Sequence, residues 1–215
     1  MSLFDIRHIA FSCWGYNVSY VEMIGTLLGL VSIYFATRTN ILTWPTGLIN
    51  ETFLFILFFQ VQLYADMFLQ VYFFIVTLYG WYCWRLNTSE AQITVLSMRT
   101  RIQLGFGILI CTIAVGYCIK DIHLYLPQYF KLKAAFPFVD SFVMVSSILA
   151  TVLLARMKIE NWYLWLTVDI VSVVLFLKKE IYFLSLEYVI FLGLASYGLF
   201  QWKKQLSHGK CFCLW

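Results

Sequence analysis

The chain has 215 residues, of which 62% are hydrophobic and only 12% charged, with a formal net charge of +4. A soluble domain carries about 25% charged residues, so the outer surface here must itself be apolar, with lipid as its solvent. The fifteen Lys and Arg residues are scattered, with no basic run interleaved with aromatics, and this excludes a nucleic-acid partner.

In a bilayer every backbone polar group has to be satisfied internally, which leaves helices or a closed barrel. The apolar runs are long and do not alternate with period two, so helices are expected. Residues 1–18 are mixed (Asp5, Arg7, His8, Asn17) and carry no cleavable signal pattern. A span takes about 20 residues to cross roughly 30 Å of hydrocarbon. On that measure spans one to three fall at roughly 19–38, 42–60 and 66–84, the last two joined by a short link from Gln60 to Asp66. Span four lies at roughly 102–119 between polar connectors at 85–101 and 120–137. Spans five to seven fall at roughly 138–156, 161–178 and 181–202, with Lys178-Lys179-Glu180 between the last two. Cys83, Cys111 and Cys118 sit in apolar runs, where a buried thiol is expected. Cys211 and Cys213 share a short tail with His208 and form a weak metal-like cluster only.

Residues 22–85 repeat without a gap at 140–203, an offset of 118. Glu22 falls on Asp140, Arg38 on Arg156, Trp44 on Trp162, Glu51 on Asp169, Gly80 on Gly198 and Trp84 on Trp202. Internal repeats in so hydrophobic a chain mark a secondary transporter. The expected fold class is therefore all-α integral membrane, seven transmembrane helices in a three-one-three order. It forms a single domain over 1–215, with repeat 1 at about 19–85, a linker helix at about 101–120 and repeat 2 at about 138–203. Repeat 2 begins after four crossings and enters from the same side as repeat 1. The repeats are then parallel, as in the SWEET-like architecture.

Loop charges set the orientation. The C-terminal side carries Arg38, Arg85, Arg99, Arg101, Arg156, Lys158, Lys203, Lys204 and Lys210. The N-terminal side carries Arg7, Lys120, Lys131, Lys133, Lys178 and Lys179. The excess predicts the N-terminus outside and the C-terminus inside.

Charged groups deep in a span are costly and usually functional. Glu51 and Asp169 lie near the middles of spans two and six, as repeat partners around one expected pathway. Trp162, Trp165 and Asp169 stand at i, i+3 and i+7, so two indoles and a carboxylate share one helix face. Such a face suits a flat, partly aromatic cation. Repeat 1 has Gly47 in place of Trp165, and the small residue is expected to leave room opposite the bulky one. Asn50 and Gln70 are candidate partners for hydroxyls. Trp84 and Trp202, beside Arg85 and Lys203, read as interfacial belt residues.

The string Trp162-x-x-Trp165-x-x-x-Asp169 resembles the signature of PnuC-type vitamin transporters. So do Trp44-Pro-Thr-Gly-Leu-Ile-Asn50, Tyr64-Ala-Asp66 and Leu78-Tyr-Gly-Trp-Tyr-Cys-Trp84. The resemblance runs over about residues 20–204. It implies a bacterial inner-membrane protein that takes up nicotinamide riboside, in a group whose other members carry thiamine or riboflavin. It implies vitamin contacts at Trp162, Trp165 and Asp169, with Trp44 and Asn50 from the repeat-1 motif, and a trimer as a homo-oligomer. Glu51, Gln70 and Tyr188 join the substrate-binding candidates from position alone. The expected partners are thus a small-molecule substrate and membrane lipid. A SWEET-like sugar uniporter is the rival within transport, although an acidic aromatic site suits a neutral sugar less well. An enzyme would need a reactive constellation. His8, His123 and His208 lie outside the spans, and neither a Ser-x-x-Lys nor a His-Glu-x-x-His motif nor a glycine-rich phosphate loop is present. No catalytic residue, metal ligand or cofactor is expected.

Overall fold

The computed structural model describes residues 5–13, 16–60, 64–86, 92–125, 135–178 and 182–207. The Cys211/Cys213 tail with His208, and the side chains of Tyr64 and Asp66, lie outside it. Among the described residues seven helices run in chain order: α1 (Tyr20–Thr37), α2 (Thr43–Gln60), α3 (Tyr64–Leu86), α4 (Met98–Tyr125), α5 (Pro137–Ala155), α6 (Glu160–Lys178) and α7 (Tyr182–Ser207). Five of them are long and apolar enough to cross a membrane: α1, α3, α4, α5 and α6. In α2 the polar Asn50 and Glu51 lower the apolarity, and Glu51 is buried at 8% exposure rather than facing outward.

Residues before α1 form an antiparallel hairpin, β1 (Ile9–Cys13) with β2 (Tyr16–Ser19). The alternation of Ile9, Phe11 and Cys13 was hidden by the surrounding polar residues. The connectors around span four are also shorter than expected, because α4 extends over 28 residues, roughly 42 Å at 1.5 Å per residue. Helix propensity does not stop at the hydrocarbon edge.

Chain contacts divide the molecule into two compact units: Met1–Gln92 with Ala155–Met157 and Phe200–Trp215, and Ile93–Leu154 with Lys158–Leu199. In both, large apolar side chains face outward, Phe68 and Ile75 in the first and Phe106 and Ile110 in the second. That is the surface lipid requires. Cys111 and Cys118 are likewise exposed. The expectation of buried thiols fails because an apolar run in a membrane helix says nothing about which face looks inward.

In the first unit Ser19 caps α1, its hydroxyl accepting from the Glu22 N–H at 3.2 Å. The helix closes in a Schellman turn: Asn40 N–H donates to the Phe35 carbonyl and Thr39 N–H to that of Ala36, with Thr39 left-handed at φ 51°. At the end of α5 the pattern recurs: Lys158 N–H donates to the Leu153 carbonyl, and Met157 also has φ 51°. Both turns lead into a helix whose first Trp, Trp44 or Trp162, is 2% exposed.

Trp84 and Trp202 are not belt residues. They are 1% and 0% exposed. Trp84 Nε1–H donates to the Ala155 carbonyl at 3.1 Å, and Trp202 Nε1–H to the Ala36 carbonyl at 3.0 Å. The last four carbonyls of a helix lack intrahelical partners, and these two indoles supply donors to them. An indole placed next to a Lys or Arg looks the same in sequence whether it anchors in headgroups or plugs a helix end.

Candidate functional site

The site face expected on α6 is built within the second unit. The start of α6 is strapped by the segment before α4. Glu160 Oε1 accepts from Leu96 N–H at 3.0 Å and from Arg101 Nε at 2.9 Å, and pairs with Arg101 Nη2 at 2.8 Å. Ile159 N–H donates to the Thr94 carbonyl, and Lys158 Nζ to the Thr94 hydroxyl at 2.7 Å. A carboxylate in the first turn also suits the helix dipole. This strap, not visible in the loop-charge count, fixes where α6 begins.

From that anchor the side chains descend one face. Trp162 is covered, its ring pressed on α7 at Gly198, where a Cβ would lie 2.5 Å from the ring tip. Trp165 is half-buried and Asp169 is 2% exposed. Asp169 has no hydrogen bond or ion pair among the described residues. An unpaired buried carboxylate is expensive, so a ligand that supplies a positive charge there recovers that cost. The helix repeat continues the face to Ser172 and Phe176, at i+7 and i+11 from Trp165. Ser172 is 0% exposed and its hydroxyl has no partner among the described residues. Phe176 stacks on Tyr188 of α7, with centroids 5.3 Å apart at 20°. Tyr188 thus belongs to an aromatic cluster that includes Phe191, edge-on at 5.7 Å. Sequence reading missed Ser172, although its spacing from Asp169 was available.

The other candidates lie in the first unit. Trp44 mirrors Trp162: it is pressed on Gly80 of α3, where any Cβ would run into the ring, and it meets Trp84 edge-on at 5.1 Å. Small residues let helices approach this closely. Asn50 is half-buried and its amide donates to the Gly25 carbonyl of α1 at 2.8 Å, a helix-to-helix tie. Glu51 accepts the Thr77 hydroxyl at 2.5 Å. Gln70 is buried at 8% exposure on α3. The room expected at Gly47 is not there. A Cβ on Gly47 would already meet the Ser32 hydroxyl at 3.3 Å and the Thr77 methyl at 3.4 Å. The glycine permits α1, α2 and α3 to close together rather than making space.

A multi-pass helical fold with a buried, unpartnered carboxylate beneath an indole is the architecture of a membrane transporter of small molecules, and its homologues are named as transporters. The chain belongs to the nicotinamide mononucleotide transporter family, whose model matches residues 19–204. It is 35% identical to the nicotinamide riboside transporter PnuC of Escherichia coli over 226 aligned positions, covering 94% of each chain. It is 30% identical to the riboflavin/roseoflavin transporter RibM of Streptomyces davaonensis, covering 90% of this chain and 89% of the other. The crystal structure of the vitamin B3 transporter PnuC has the same fold, with a TM-score of 0.67 at 22% identity, covering 89% of this chain and 84% of that one.

Proposed function

We propose that the chain takes up nicotinamide riboside across the bacterial inner membrane by facilitated diffusion. The observation that carries this is Asp169: a carboxylate 2% exposed, without a partner among the described residues, one helical turn from Trp165. The pyridinium of nicotinamide riboside is a flat cation that an indole face and a carboxylate can hold together. In this reading Trp165 and Asp169 touch the ligand, Trp162 positions the face from its seat on Gly198, and Glu51 and Gln70 are secondary. The relationship to the Escherichia coli nicotinamide riboside transporter supports the substrate.

The transport cycle is alternating access without ion coupling. The positive charge that pairs with Asp169 is the substrate's own, so no accompanying proton is needed to carry it across. Uptake is then made one-way by phosphorylation inside, since a phosphate is repelled by a carboxylate-lined site. The seven helices follow a three-one-three order with parallel repeats, N-terminus outside. The matched left-handed residues Thr39 and Met157, and the matched seats of Trp44 on Gly80 and Trp162 on Gly198, support the repeat.

A second reading, riboflavin, is favoured by the relationship to RibM, and thiamine is a third flat candidate. One binding assay separates them. Purified protein is titrated with nicotinamide riboside, its ring-reduced neutral analogue, thiamine and riboflavin. Tightest binding of nicotinamide riboside, lost selectively in Asp169→Asn while the neutral analogue is little affected, is the expected result. Tightest binding of riboflavin, unaffected by Asp169→Asn, refutes the assignment. Counterflow in proteoliposomes tests the coupling: exchange proceeds without a pH or sodium gradient, whereas accumulation driven by a pH gradient establishes a proton symporter.

A further inference from the structure

We infer that Ala195 is the residue that keeps Asp169 free for a cationic ligand, and that its counterpart Thr77 commits Glu51 to a structural role. The inference deepens the proposed function and rests on its reading of Asp169 as the cation site.

The helix pairs α2·α3 and α6·α7 are pinned in the same register. In the first, Trp44 lies on Gly80. In the second, Trp162 lies on Gly198. Glu51 and Asp169 each stand two turns beyond their Trp, and Thr77 and Ala195 each stand three residues before their Gly. In the first pair this register brings the Thr77 hydroxyl onto Glu51 Oε1 at 2.5 Å. The same register in the second pair sets the Ala195 methyl opposite Asp169. Both are 2% exposed, and a methyl donates nothing.

The difference extends to the neighbours. Over Glu51, Gly47 is closed in by the Ser32 hydroxyl and Thr77. The residues that match these in the second repeat are Trp165 for Gly47, Ala150 for Ser32 and Ala195 for Thr77. Two hydroxyls have become methyls, and a glycine has become an indole. The first carboxylate is therefore engaged from within at Oε1 and roofed over, while its Oε2 is buried without a partner among the described residues. The second is engaged by no donor among the described residues, not even the buried Ser172 hydroxyl one turn on, and has a half-exposed aromatic face beside it. A hydroxyl that hydrogen-bonded Asp169 would compete with the ligand for the same lone pairs, so the missing oxygen at position 195 is what makes the two halves of one repeat chemically unequal.

Two readouts test this, one of them independent of any vitamin. Membranes bearing the protein are treated with a hydrophobic carbodiimide, across whose C=N bond an accessible carboxyl in its acid form adds to give an acylurea, and the labelled peptides are read by mass spectrometry. Label at Asp169 and little at Glu51 is expected, with Thr77→Val adding label at Glu51 and Ala195→Thr removing it from Asp169. In the binding assay Ala195→Thr weakens nicotinamide riboside by about tenfold, the worth of one hydrogen bond to a charged group. Ala195→Val, of the same shape as threonine without the oxygen, carries the same packing cost and weakens binding clearly less than Ala195→Thr. Equal labelling of Glu51 and Asp169 in the wild type overturns the inference, as does Ala195→Val weakening binding as much as Ala195→Thr. If Ala195→Thr does not fold, Thr77→Val still decides through Glu51. If the wild type binds no vitamin, the proposed function falls while the labelling pattern still decides the asymmetry.

Discussion

Gly198→Ala tests the seat on which the α6 face depends. A methyl on Gly198 would lie 2.5, 2.6 and 2.7 Å from three atoms of the Trp162 ring. Ordinary carbon contacts are about 3.5–4.0 Å, so ring or helix must give way by roughly 1 Å. Three rigid ring atoms are met at once, and Trp162 is 2% exposed, so no rotamer escapes into open space. Overpacking of this kind costs about 1–3 kcal/mol. Replacing a helical glycine with alanine returns about 1 kcal/mol of propensity. The control removes that second effect. Gly193 lies in the same helix, and a methyl added there would meet nothing within 4 Å, so Gly193→Ala gains the propensity without the clash. The two variants should therefore differ by about 1–3 kcal/mol, the clash alone. At about 2–4 °C per kcal/mol for a chain of this size, the apparent Tm in detergent differs by a few to about ten degrees, with Gly198→Ala the lower. The displaced ring carries α6 with it, so Gly198→Ala also weakens substrate binding, and Trp162→Leu in that background restores part of the stability. Equal melting of Gly193→Ala and Gly198→Ala would refute the packing argument.

Four further outcomes are expected. Trp165→Ala removes a cation–π partner worth about 2 kcal/mol and lowers affinity for nicotinamide riboside roughly thirtyfold in equilibrium binding, and unchanged affinity removes this face from the site. Trp84→Phe and Trp202→Phe each delete one indole N–H donor to a helix-end carbonyl and lower stability by about 1 kcal/mol in thermal unfolding, whereas belt residues would tolerate the change. Glu160→Gln weakens the strap to Arg101 and Leu96; with Arg101 42% exposed, the loss is about 1 kcal/mol, read as a Tm decrease that high salt makes smaller. A reporter that fluoresces only in the cytoplasm, fused after Trp215, is bright, and a dark fusion with protein present in the membrane reverses the orientation.

Composition and apolar runs determined by themselves that this is a helical membrane protein, because a bilayer permits few ways to satisfy a backbone. They also located the helices, since each crossing needs a minimum apolar length, and the offset between Glu51 and Asp169 exposed two carboxylates that lipid would not tolerate. What they left undecided was direction and partnership. Trp162 read as ligand-facing because its spacing put it on the face of Asp169, and Trp44 because of the repeat-1 motif, but only packing against Gly198 and Gly80 shows that the rings are covered. Trp84 and Trp202 read as interfacial because a Trp beside a Lys or Arg usually is, and only the carbonyls of Ala155 and Ala36 explain their burial. Asn50 read as a ligand donor, and only the structure shows that its amide also ties α2 to the Gly25 carbonyl of α1. The two carboxylates looked equivalent in sequence, and the tertiary structure separated them through a Thr77 hydroxyl that reaches Glu51 from another helix. Periodicity records which residues share a face. What covers that face, and which hydrogen bonds are already taken, depends on neighbours distant in sequence that meet only when the helices pack.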